Sequence, residues 1–455
     1  MIGRVVVRHG RVACLSVVLV MVAWSLGVAA SAQAGWHARE SISGVGNLGR
    51  TTLAVNPRGD AIAVWYSQTY NDSYSATYVV KAAFRPAGRS WRRPVSVGTA
   101  DELCGRGLCD FPTLSVAIGP RGDAVVGWPD ATSLAHEWIR VASRRAGGGW
   151  QRPVVVFTYG ASSDIEMPWP LIAPPKLAVD QRGDVTALSS GVLAAFKPAG
   201  QAWRRATPIG TGFDDQLGLD AGGDAIAVWD TFNGRSYRMQ SAFRPFGGSW
   251  RRPVTISAGA GDIVETQLVV GGRGDAIAVW GVDPIRGCCE SIHTAYKPVG
   301  VSWRKPVALH SPAGDFHAGV DKAGNATIVW ATARGLNASF KPAGRPWRSP
   351  ATIATYPSVG GESVSLAVPA RGQPIVVWTE TQAINQLQCC TTTVYASVAS
   401  AHGVWQAPIT LGNGASAGGQ PEASPAVADD SRGNALVIWV SAQGVVQAQT
   451  FTQTG

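Results

Sequence analysis

The sequence predicts an all-β chain: an eight-bladed β-propeller of four-stranded antiparallel blades. Two tryptophan signatures recur along the chain, proline recurs at a fixed offset after one of them, and one repeat is split between the two ends. The elements follow from these observations in chain order.

Residues 1–34 read as a secretory signal peptide outside the fold. Arg4, Arg8 and Arg11 precede an apolar run from Val12 to Ala30, and Ala32-Gln33-Ala34 offers a small-x-small cleavage site. The expected product is exported, with no membrane span after cleavage. Losing those three arginines leaves 36 cations against 30 acids, a net charge of +6. That excess is mild for residues 35–455, and nucleic acid is not the expected partner.

The first signature is Gly-(Asp/Asn)-Ala, then alternating small and branched residues, then Trp. It ends at Trp65, Trp128, Trp229, Trp280, Trp330, Trp378 and Trp439; an eighth copy carries Ser189 at the Trp place. The second signature resembles FRPFGGSWRRPV, with its Trp at 36, 91, 150, 203, 250, 303, 347 and 405. Only Trp138 and Trp169 of the exported part lie outside these positions, so tryptophan here is architectural: Trp36, Trp65, Trp91, Trp128, Trp150, Trp229, Trp250, Trp280, Trp303, Trp330, Trp347, Trp378, Trp405 and Trp439 are expected to pack the blades. The missing Trp predicts that blade 3 is the weakest.

Each unit reads as strands A to D. Strand A is exemplified by LAVD (177–180). A turn such as Asp180-Gln181-Arg182-Gly183 leads to strand B, DAIAVW (224–229) in the next unit. Strand C is like MQSAF (239–243), and a Pro-x-Gly-x turn precedes strand D, WRRPVTI (250–256). Pro stands three residues after Trp at 94, 153, 253, 306, 350 and 408. Proline donates nothing to a ladder, which suits the outer edge strand of a blade. The chain from Gly35 opens with a lone D strand (36–43) and ends with a lone C strand (445–451), so one blade closes the ring from both termini.

The second signature resembles the Asp-box of sialidase-like propellers. In FRPAGRSW, Gly88, Ser90 and Trp91 match the Gly, Ser/Thr and Trp places, with Pro86 where the Asp stands. The resemblance implies a degenerate Asp-box hairpin whose turn is set by proline. It also raises the alternative of a glycoside hydrolase acting on extracellular glycans. That family's arginine triad, Tyr–Glu nucleophile and Asp acid have no counterpart by motif, so no catalytic residue carries over.

Chain direction puts the short, near-constant A–B and C–D turns on one face and the long, variable B–C and D–A connections on the other. Function is expected on the variable face. The arginines of the second signature are expected to coat a rim on the constant face, with a weak preference for acidic surfaces. Variable-face candidates are Asp101, Glu102, Tyr74, Trp138, Asp164, Glu166, Trp169, Asp214, Asp215, Glu265, Glu290 and Tyr356. Acids beside aromatics suit a glycan, or an extracellular protein, better than a phosphate ligand. A purely structural surface scaffold is the remaining reading. No cofactor or metal is expected, and neither is a second copy of the chain.

Six cysteines remain after cleavage. Cys104 and Cys109 share one loop and are expected to close a small ring. Cys288-Cys289 and Cys389-Cys390 are adjacent pairs, read as vicinal disulfides, with pairing between the two loops left open. Four Arg-Gly-Asp triplets (58–60, 121–123, 182–184, 273–275) all fall on the A–B turn and read as turn chemistry, not as adhesion motifs.

Overall fold

A computed structural model describes residues 35–46, 48–70, 75–103, 113–133, 136–160, 173–258, 261–283, 291–309, 314–355, 363–370, 373–382, 391–415 and 423–453. It contains eight antiparallel sheets, with strand order A-B-C-D in each. The A strands touch their neighbours in an unbroken circuit of eight, so the ring is closed. Among the described residues there is no α-helix.

The closing blade is shared by the two termini as the sequence predicts. Gly35 and Trp36 pair with Thr452 and Phe451, and Glu40 and Ser41 pair with Ala448 and Gln447. The His37 amide donates to the Thr450 carbonyl at 2.9 Å, and the rings of Trp36 and Phe451 lie 5.2 Å apart. The D strand is therefore two short pieces, Gly35–Trp36 and Glu40–Ser41, where one strand over 36–43 was expected.

The other D strands are also shorter at their start than the sequence suggests. In blade 4 the ladder begins at Val254, past Pro253, and runs Val254–Ala258. Ahead of the proline, the amide after the Trp makes one bond back to strand C: Arg92 to the Phe84 carbonyl, Arg251 to Phe243, Arg304 to Tyr296, each 2.8–2.9 Å. Proline has no amide to donate at this point, but the break does not require it: blades 3 and 8 carry Ala206 and Arg39 there and pair again only from Thr207 and Glu40.

The seven strand-B tryptophans are the core of the inter-blade seams, each 0–2% exposed. The second-signature tryptophans are only half-buried. Each strand-B Trp reaches toward strand D of the preceding blade; Trp128 Nε1 donates to the Thr99 carbonyl at 3.3 Å. The D-strand residue just past a bulge makes room for it. That residue is Gly98, Ser257, Ala354 or Gly412 in blades 1, 4, 6 and 7. A Cβ on Gly98 would lie 2.6 Å from the Trp128 ring.

Blade 2 departs from this pattern and carries Phe157 at that register, 2% exposed. The blade it faces is blade 3, the one with Ser189 in place of Trp. Phe157 packs in one cluster with Val185 and Ala187 of blade 3, and the Tyr159 hydroxyl donates to Ser189 Oγ at 2.8 Å. The aromatic volume has moved to the other side of the seam. The seam beside Ser189 is thus filled from blade 2.

The Arg-Gly-Asp triplets are turn chemistry. Where the A–B turn opens on Asn or Asp, that side chain accepts amides two and four residues on, as Asp180 Oδ1 takes Arg182 and Asp184 at 2.8 and 2.9 Å; the triplet turns at 119–123 and 271–275 open on Gly119 and Gly271 instead. Three of the four triplet aspartates accept an amide from the C–D hairpin of their own blade: Asp60 from Ala87 (3.0 Å), Asp123 from Ala146 (3.1 Å), Asp184 from Ala199 (2.6 Å). The carboxylate absent from the degenerate Asp-box hairpin is supplied by the neighbouring turn.

Candidate functional site

The strands run further into the variable segments than the sequence suggests. Strands B and C of blade 1 span Ala61–Tyr70 and Ser75–Arg85, and strand D spans Val95–Leu103. Asp101 and Glu102 are therefore ladder residues, opposite Thr77 and Ala76, not loop residues. Trp138 likewise lies in strand C of blade 2, opposite Asp130 and Thr158. Tyr74, Asp164, Glu166, Trp169, Glu290, Tyr356 and the six cysteines lie outside the described residues.

The remaining candidates, Asp214, Asp215 and Glu265, lie at the variable-face ends of blades 4 and 5. Strand A of blade 4, Phe213–Leu219, is bulged between Phe213 and Gln216, placing Asp214 and Asp215 opposite Trp229. Strand A of blade 5, Asp262–Val270, is bulged at Glu265. Asp214 and Glu265 both have φ of +47°, a conformation that is strained for residues with a side chain and held by the surrounding ladder.

Two acid groups result. On blade 4, Asp215 and Asp230 are 7% and 2% exposed. Burial, aided by the nearby Asp214 charge, pushes both carboxyls up to about 6; Lys176 partly opposes this at Asp215. Phe213 stands directly opposite Asp230 and is 67% exposed. Phe232, 50% exposed, leans on Tyr237 with ring centroids 4.9 Å apart. Apolar rings thus stand open to solvent around buried acids.

Between blades 5 and 6, Glu265 and Asp315 perturb one another's ionisation. Burial and the Asp315 charge push Glu265 up, to about 8. Burial works against ionisation at Asp315 too, but His317, the Val364 amide and the Glu265 proton outweigh it and hold that carboxyl below its usual value. His317 Nε2 lies 3.5 Å from Asp315 Oδ1, and Gln267 braces the strand by accepting the Ala318 amide at 3.0 Å.

The arrangement presents acids whose carboxylates accept, beside exposed rings. Hydroxyl-rich ligands match that combination. Asp230, Asp315, His317 and Phe232 are absent from the sequence candidates. Aligning the residue just before the strand-A partner of the strand-B Trp, Glu265 before Thr266 and Asp315 before Phe316, is the signal that finds Asp315.

No family model and no curated protein matches this sequence. Solved structures with a similar arrangement include the C-terminal WD40 domain of Sif2, at 10% identity and TM-score 0.45, covering 91% of this chain and 98% of that one. An α-L-arabinofuranosidase of Fusarium graminearum aligns at 9% identity and TM-score 0.41, covering 92% and 98%. Hadza microbial sialidase Hz136 aligns at 12% identity and TM-score 0.40, covering 91% and 95%. Similarity at this level carries no argument about activity.

Proposed function

We propose that this protein is an exported, monomeric, non-catalytic propeller that binds a glycan at the variable-face ends of blades 4 to 6. The observation that carries the reading is the placement of exposed Phe213 and Phe232 beside the buried carboxyls of Asp215 and Asp230, with the Glu265–Asp315 pair next along the ring. Aromatic rings give apolar sugar faces a surface to pack against, and the acids orient hydroxyls by hydrogen bonding. Export rests on the arginine-flanked apolar leader.

A hydrolase reading has one supporting feature: Glu265 keeps its proton at neutral pH, as a general acid must. A glycan array together with a panel of fluorogenic glycosides, applied to the protein from Gly35 onward, separates the readings. Binding without turnover is expected. Turnover lost in Glu265→Gln establishes the hydrolase instead. Silence on both assays leaves a protein partner or a structural scaffold.

A further inference from the structure

The opposite face carries a second, repeated feature. Where strand C meets the C–D hairpin, the seam between neighbouring blades opens into a groove. Three such grooves have volumes of about 300, 320 and 560 Å³, between blades 1 and 2, 5 and 6, and 4 and 5. Their linings correspond position by position. Each has an aromatic (Phe84, Tyr296, Phe243), the two cations after the second-signature Trp, a cation from the next blade (Arg144, Lys341, Lys297) and that blade's Trp (Trp150, Trp347, Trp303).

Two thirds of this cationic set is structural. Arg92 and Arg144 both lie over the Phe84 ring, at 5.4 and 4.0 Å from its centroid; Arg251 and Lys297 share Phe243, and Arg304 and Lys341 share Tyr296. Arg144 is 6% exposed and donates to the Gly148 carbonyl at 2.7 Å. The remaining third, Arg93, Lys305 and Arg252, lines the same grooves, is exposed and forms no salt bridge among the described residues. In the largest groove Asp220 and Asp224 also line the wall.

We propose that these inter-blade grooves bind an acidic polysaccharide, one anionic group per groove, along the constant-face rim. Guanidinium and ammonium groups with no carboxylate partner suit sulfates or carboxylates. Equivalent grooves at the adjacent seams 4–5 and 5–6, with a third at seam 1–2, suit a polymer whose charges repeat, since linked weak contacts reinforce one another. Single-stranded nucleic acid fits less well, because base stacking needs an open aromatic face. Here Phe84, Phe243 and Tyr296 each already carry two cations. This site is separate from the glycan mouth and survives or fails independently of it.

The test is binding of the protein from Gly35 onward to immobilised dextran sulfate, polygalacturonate and neutral dextran at two salt concentrations. Sulfate and carboxylate arms identify which anion is preferred. The expected result is binding to a polyanion, none to neutral dextran, and a loss of more than about tenfold between about 50 and about 300 mM salt. Arg93→Gln/Arg252→Gln/Lys305→Gln together weaken binding at least about tenfold by removing one charge per groove, with an unchanged melting temperature. Phe213→Ala/Phe232→Ala leaves polyanion binding intact. Undiminished binding in the triple variant, absence of polyanion binding, or tighter binding to DNA than to either polysaccharide overturns the proposal.

Discussion

The Tyr159 hydroxyl, on the outer strand of blade 2, donates to Ser189 Oγ of blade 3 at 2.8 Å. Ser189 occupies the place where seven other blades carry a buried tryptophan. With Phe157 two residues earlier, Tyr159 supplies from one side of the seam the aromatic volume missing on the other.

This exchange predicts strong coupling across that seam. Phe157→Ala alone costs about 3–5 kcal/mol as a cavity. Ser189→Trp alone costs about 1–3 kcal/mol through overpacking against Phe157. The double variant costs less than their sum, because the indole enters the space the phenyl ring leaves. Urea unfolding midpoints of the four proteins measure this, and simple additivity refutes the size exchange.

The triplet aspartates act within one blade. Asp184→Ala removes the acceptor for the Ala199 amide and lowers stability by about 1.5–3 kcal/mol. Asp184→Asn retains most of it, because Asn325 already accepts the Ala343 amide at 2.8 Å in blade 6. Equal losses in the two variants remove the hydrogen bond as the cause.

Stability falls as pH rises from mildly acidic toward alkaline values. Glu265, Asp215, Asp230 and Asp429 have folded-state values raised to about 8, 6, 6 and 7, above those of an unfolded carboxyl. The folded state therefore holds extra protons between about pH 4 and 8. The stabilisation is complete below the unfolded values near 4 and is lost as each folded value is passed. Glu265→Gln flattens the part of the melting-temperature profile above pH 6, where Asp429 alone remains. Asp215→Asn and Asp230→Asn flatten the part below it. A profile unchanged by Glu265→Gln contradicts the assignment.

The ring was legible in the sequence because its determinants repeat: Trp65 and its equivalents, Pro94 and its equivalents, and a D strand at one end matched by a C strand at the other. Strand ends were less legible. The break of the ladder before Val254 and the extension of pairing through Asp101 and Glu102 depend on partners in the next strand, not on local alternation. The candidate site was half legible. Asp214, Asp215 and Glu265 stand out as acids in variable segments, but their value comes from bulges that only the ladder reveals. Asp315 perturbs Glu265 across a blade boundary fifty residues away, and Arg144 meets Phe84 across sixty. Such pairs follow from the ring geometry, which brings equivalent positions of adjacent repeats together.

The most direct test of the central claim is titration calorimetry of the best array glycan against the native protein and Phe213→Ala/Phe232→Ala. The account predicts saturable binding by the native protein, no turnover, and at least about tenfold weaker binding by the variant at unchanged melting temperature, from the loss of two ring contacts. Binding that is equally tight in the variant would place the ligand elsewhere and contradict the account.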